Sequence, residues 1–103
     1  MRIFVLFNLK PGVDKATYLA WAESTDLPIV RQLSSVKAFE VFEVSGLFGS
    51  DQPPPYEYIE VVDITDMEQF GKDVAQEVMQ RVAAEFQALA TPFFLLSHSV
   101  GIA

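Results

Sequence analysis

Apolar residues fall into blocks along the chain, and their spacing changes from block to block. Residues 2–8 form a short apolar run rich in strand formers, closed by the turn sequence Lys10-Pro11-Gly12. Asp14 is placed to cap a helix from residue 15 to about residue 24. Tyr18 and Trp21 lie three apart on one face of it, and Thr25 follows a turn later. Two further strand patterns follow, VKAFEVFEVS at 36–45 and YEYIEVVDI at 56–64. The GLFGSDQPPP between them is too rich in glycine and proline to continue a strand. Thr65 opens the clearest helix signal, with TDME as a capping box. Met67, Phe70, Val74, Val78, Val82, Phe86 and Leu89 then recur at helical spacing over about six turns. Gly71 weakens this helix by up to roughly 1 kcal/mol and is expected to mark close packing on the sheet. Thr91-Pro92 ends it, and residues 93–100 read as a fourth strand.

The order β-α-β-β-α-β is the split βαβ arrangement, and it predicts one α+β, ferredoxin-like domain over residues 1–103. Right-handed crossovers place both helices on one face of a four-stranded antiparallel sheet. The strands are nevertheless apolar on both sides. Ile3, Val5 and Phe7 alternate with Phe4 and Leu6, and Phe94 and Leu96 alternate with Phe93 and Leu95. An uncovered face of that kind needs a partner, and in a chain this short the simplest one is a second copy, sheet against sheet.

Composition supports the surplus of apolar surface. Half of the 103 residues are hydrophobic, and the mean hydropathy is +0.25. No run approaches the roughly 20 residues that span a bilayer, so the excess is expected at a subunit interface and around a ligand cavity. A net charge of −7 with no basic patch argues against nucleic acid as a partner. The absence of cysteine excludes disulfides, thiolate catalysis and cysteine-ligated metals. MRIFVLFNL reads as a strand and not as a signal peptide, and a cytoplasmic location is expected. One histidine, without HxH, HxxE or HExxH spacing, leads us to expect neither metal nor cofactor.

Candidate chemistry then rests on a few polar residues. His98 shares the alternation of Phe94, Leu96 and Val100. On the helix side of the sheet it can act as acid or base near neutral pH, and elsewhere it is a strand-end histidine. Asp26 has two roles open to it: N-cap of a short segment carrying Pro28, which is the favoured one, and general base. Glu60, between Ile59 and Val61, becomes a useful acid if it faces the helices. On the other face it can pair with Arg2 or Lys37. Asn8 either shapes the turn after the first strand or holds a substrate oxygen, while Tyr18 and Trp21 are core residues or aromatic walls. Arg31 can meet an acidic group of a ligand or remain solvated. Leu47 and Phe48 can form a flap, or merely belong to a long connection.

The first half of the chain also resembles a known family. The likeness rests on Asn8-Leu9-Lys10-Pro11-Gly12, on Tyr18 and Trp21, on Thr25-Asp26-Leu27-Pro28 followed by Val30 and Leu33, and on Ser35-Val36 leading to Phe39. These residues resemble the RedY-like family, within the dimeric α/β-barrel superfamily. The resemblance implies two ferredoxin-like subunits closing their sheets into a barrel, with a ligand between helices and sheet. It implies a role in prodigiosin-like pigment or related aromatic natural-product biosynthesis, acting on a heteroaromatic, bipyrrole-type intermediate, with a pathway enzyme as a further partner. A cofactor-independent monooxygenase or isomerase of the same fold, and a non-catalytic dimer that binds an intermediate or a partner enzyme, stay open beside it. On that footing Asp26 and His98 are the expected proton handlers, and Asn8, Tyr18, Trp21, Glu60 and Arg31 the expected substrate contacts. Where EthD-like and cyclase relatives tend to carry histidines, this chain has Thr25-Asp26.

Overall fold

Three antiparallel pairings build the sheet, in the strand order β2-β3-β1-β4. The computed structural model describes residues 1–101. Its elements are β1 (Arg2–Leu9), α1 (Lys15–Trp21), a π-helical turn (Ala22–Asp26), α2 (Leu27–Val30), β2 (Val36–Glu43), β3 (Tyr58–Ile64), α3 (Met67–Val74), α4 (Glu77–Leu89) and β4 (Ala90–Ser97). This is the expected α+β, ferredoxin-like architecture, with an open sheet whose edges are β2 and β4.

Register separates the two faces. Val5 pairs with Glu60 and Phe94, and Ile3 with Val62 and Leu96, so these residues point toward the helices. Glu60 therefore lies on the helix side, and Arg2 pairs instead with Asp63. Phe4, Leu6, Phe42, Val61, Phe93 and Leu95 occupy the other face. Among the described residues no helix covers it, and Phe93 and Leu95 are 55% and 47% exposed. The helix-side core is aromatic at one end. There Phe7 meets Tyr18, Tyr58 and Phe86 at centroid distances of 5.4, 5.3 and 5.0 Å, and Trp21 stacks on Phe86.

Several local expectations give way to specific contacts. Asp14 does cap α1, accepting from the Thr17 N–H. Thr65, however, does not cap the second crossover. Its N–H and hydroxyl both donate to the Ser35 carbonyl, and Asp66 is the cap. The expected six-turn helix is two helices, broken at Ala75 and Gln76. The apolar steps 74-78-82-86 are all four residues long, and each overshoots an α-helical turn by about 40°. The break resets the phase, so that Met79, Val82 and Phe86 become the buried residues of α4. A Cβ on Gly71 would meet nothing within 4 Å, so this glycine marks no close approach to the sheet. β4 begins earlier than expected, because Thr91 pairs with Asn8 and Pro92 with Phe7. Proline is tolerated there since β4 is an edge strand.

Candidate active site in the helix–sheet cavity

The stretch around Pro28 sets the site. Proline has no N–H to donate to the Ser24 carbonyl, and its ring would press on that carbonyl in a regular α-helix. The chain responds by widening the preceding turn: Leu27 donates to Ala22, five residues back. Asp26 stays helical (φ −65°, ψ −55°) and makes no capping hydrogen bond. The favoured expectation of an N-cap is thus overturned, because the helix never starts afresh at Leu27. Freed from capping, the carboxylate of Asp26 turns inward and is only 5% exposed.

Opposite it, β3 presents Glu60, also 5% exposed. Both line a cavity of about 330 Å³ between sheet and helices, walled by apolar side chains that include Val30, Phe39, Met79 and Phe86. Burial pushes the Asp26 carboxyl up to about 6, an effect that its hydrogen bond with Glu60 partly offsets. Glu60 is raised well above the usual carboxylate range by burial, then by the charge of Asp26 and the hydrogen bond to it. Burial and mutual charge disfavour ionisation of both carboxyls at once, so the two titrate as a coupled pair, with Glu60 the more strongly raised by its partner's charge. Tyr18 is fully buried beside them, and its phenol is raised by burial and by both carboxyls. The Tyr18 hydroxyl and Glu60 Oε2 have no hydrogen-bond partner among the described residues.

The other sequence candidates lie elsewhere. Asn8 clamps the connection before β3, its Nδ2 donating to the Pro55 carbonyl (3.0 Å) and its Oδ1 accepting from the Glu57 N–H (2.9 Å). Trp21 donates through Nε1 to Glu85 (2.9 Å), tying α1 to α4. Arg31 donates to the Phe39 carbonyl (2.9 Å), fastening α2 to β2. His98 follows the last residue of β4 and is exposed, in a surface groove with Arg2, Lys37 and Asp63. Leu47 and Phe48 are exposed and do not line the cavity. Among the described residues no group of three or more His, Asp or Glu is gathered to hold a metal ion, and no helix is long and apolar enough to cross a membrane.

One buried anion was not foreseen. Asp73 accepts from the Ser35 N–H and hydroxyl (2.9 and 2.7 Å), from Ser34, and from Gln69 (2.8 Å). These donors, Ser35 first, hold its carboxyl down to about 2. It pins α3 to the turn before β2 and is not part of the cavity.

Solved structures share the fold. HapK from Hahella chejuensis is 24% identical, with a TM-score of 0.69 over 100% of this chain and 98% of its own. SnoaB from Streptomyces nogalater, a cofactor-independent oxygenase, is 17% identical with a TM-score of 0.74, covering 98% and 93% of the two chains. An EthD-family protein from Bacillus halodurans is 13% identical, with a TM-score of 0.69 over 95% and 99%. No curated protein sequence matches. The model of the family described as REDY-like protein HapK matches residues 1–100. The chain therefore belongs to the REDY-like HapK family.

Proposed function

We propose that this protein binds a flat heteroaromatic intermediate of a prodigiosin-like or related aromatic biosynthesis in the helix–sheet cavity, and moves a proton on it without a metal or cofactor. The observation that carries this reading is the buried Asp26–Glu60 pair, two coupled carboxyls both raised by burial in a mostly apolar cavity. A base near neutral pH beside a neutral acid is the arrangement that proton transfer requires. Asp26 removes a proton from one ring position while Glu60 returns its own to another. The substrate leaves as a tautomer and the pair is left with one proton. Conjugation in the substrate spreads the transient charge, and the apolar walls hold the ring in place. The working unit is a homodimer joined through the bare sheet face around Phe93 and Leu95.

The test is solvent deuterium incorporation into the ring carbons of 2,2′-bipyrrole, followed by proton NMR at saturating ligand. Wild type is expected to accelerate exchange, and Asp26→Asn and Glu60→Gln to slow it by about 100-fold, a usual scale for a lost acid or base. Exchange at the wild-type rate in both variants sinks the mechanism. Binding without any exchange leaves a carrier of the intermediate in place of an enzyme.

A further inference from the structure

The polar atoms of the cavity are unevenly divided between donors and acceptors. Its buried part holds the four carboxyl oxygens of Asp26 and Glu60. Glu60 Oε2 is buried there without a partner among the described residues. Tyr18, whose hydroxyl is near enough to feel both carboxyls, is not among the described residues that line the cavity. No lysine, arginine or histidine is among the described residues that line the cavity. The backbone amides of β1 and β3 behind it are committed to the sheet. At the rim stand two side-chain amides, Gln80 and Gln87, and the Gln80 Nε2 already donates to the Val74 carbonyl (3.0 Å).

Such a cavity is rich in acceptors and poor in donors. A ligand that buries itself there must satisfy the carboxyl oxygens, since a buried acceptor left unmet costs most of the binding it would have supplied. A second anion has no cation to meet and faces a carboxylate across apolar walls. We propose that the cavity selects azaheteroaromatic ligands that present N–H donors along one edge and carry no acidic group, with Asp26 and Glu60 reading that edge. Ring oxygen or sulfur in place of N–H removes the recognition while keeping the shape. This rests on the reading of the cavity as the ligand site, and it adds the chemical class that the site admits.

Binding of four probes of similar size, measured by calorimetry, tests it: 2,2′-bipyrrole, 2,2′-bifuran, 2,2′-bithiophene and 2,2′-bipyrrole-5-carboxylate. Bipyrrole is expected to bind at least about tenfold more tightly than each of the others, the scale of a hydrogen bond to a charged acceptor. In Asp26→Asn and Glu60→Gln the preference over bifuran should shrink to within about threefold, since an amide supplies the missing donor. Ala83→Trp, a change at an exposed rim residue, should abolish binding of every probe that enters the cavity. If bifuran binds as tightly as bipyrrole and Ala83→Trp blocks both, the donor-edge inference is overturned and the ligand cavity stands. If the carboxylate binds as tightly as bipyrrole, the inference is likewise overturned. If no probe binds wild type, the inference falls together with the reading on which it rests.

Discussion

Replacing Asp26 by asparagine should make the protein more stable at neutral pH. Asp26 is raised from 3.8 to about 6 by burial. At about 1.4 kcal/mol per unit, the folded state spends about 3 kcal/mol to keep this group ionised above pH 7. The folded state binds more protons than the unfolded chain between about pH 4 and pH 6. The contribution of Asp26 is therefore fully present below pH 4 and is lost as pH rises through 6. Glu60 is raised as well and works in the same direction. Asparagine removes the titration but brings an amide to be satisfied, which offsets about 1 kcal/mol.

The net expectation is a gain of about 1–3 kcal/mol at pH 7.5 and almost none at pH 4.5. Urea unfolding at both pH values, at one protein concentration because association couples to stability, reads this directly. Wild-type stability should fall between those values while that of the variant changes much less. A wild-type stability that rises from pH 5 to 7.5, or a variant that is weaker at pH 7.5, would show that Asp26 is not a desolvated anion at all. A gain in stability together with loss of ring-proton exchange is the pattern expected where a fold carries strain for function.

Other changes separate structural from chemical roles. Asp73→Asn should lower the thermal midpoint at pH 7. Because the Asp73 carboxyl is held down to about 2, the difference from wild type should fade as pH drops from 4 toward 2, and a difference that persists at pH 2 would refute the assignment. His98→Ala should leave bipyrrole binding and exchange unchanged, and a loss of either would place the imidazole at the cavity. Leu95→Lys should convert a dimer into a folded monomer in light scattering after size exclusion, and an unchanged mass would remove the sheet face as the interface. Asn8→Ala should cost about 1 kcal/mol in stability through the lost clamp on residues 55–57, with ligand affinity unaltered.

Element order was open to reading because the strands are nearly uniform in their apolar character and Gly-Pro clusters separate them. The α+β topology followed from order alone, and the apolar outer face followed from alternation in β1 and β4. What stayed hidden was whatever depends on contacts between distant elements. Glu60 read as a strand carboxylate with two possible faces, and only the pairing of Val5 with Glu60 decides between them. Asp73 lies outside the apolar stripe as an ordinary polar residue, and nothing nearby announces that Ser34 and Ser35, 39 and 38 positions earlier, donate to it. The second crossover looked continuous because apolar spacing tolerates one missed turn, whereas packing does not.

Asp26 was misread for a more instructive reason. A proline after an aspartate is the usual sign of a fresh helix start, so capping was the natural role. The buried residues tell a different story: Tyr18, Ala22, Asp26 and Val30 are 0, 3, 5 and 7% exposed, each four positions after the last. Three steps of four residues drift about 120° around a straight α-helix, enough to carry Val30 off the buried face. One added residue in a turn is worth about 100°. The π-helical turn at Ala22–Asp26 supplies such a correction immediately before Pro28, where a regular turn would also clash. The same distortion thus keeps four side chains in line and relieves the proline. Because the helix does not restart, Asp26 has no backbone amide to serve, and its carboxylate faces Glu60 instead. Pro28→Ala, which restores the N–H, should let the turn relax toward α geometry, rotate Asp26 away from Glu60 and lower its raised carboxyl. Carbon NMR titration of Asp26 reads that shift, and an unchanged titration would mean that the turn, not the proline, holds the carboxylate inward.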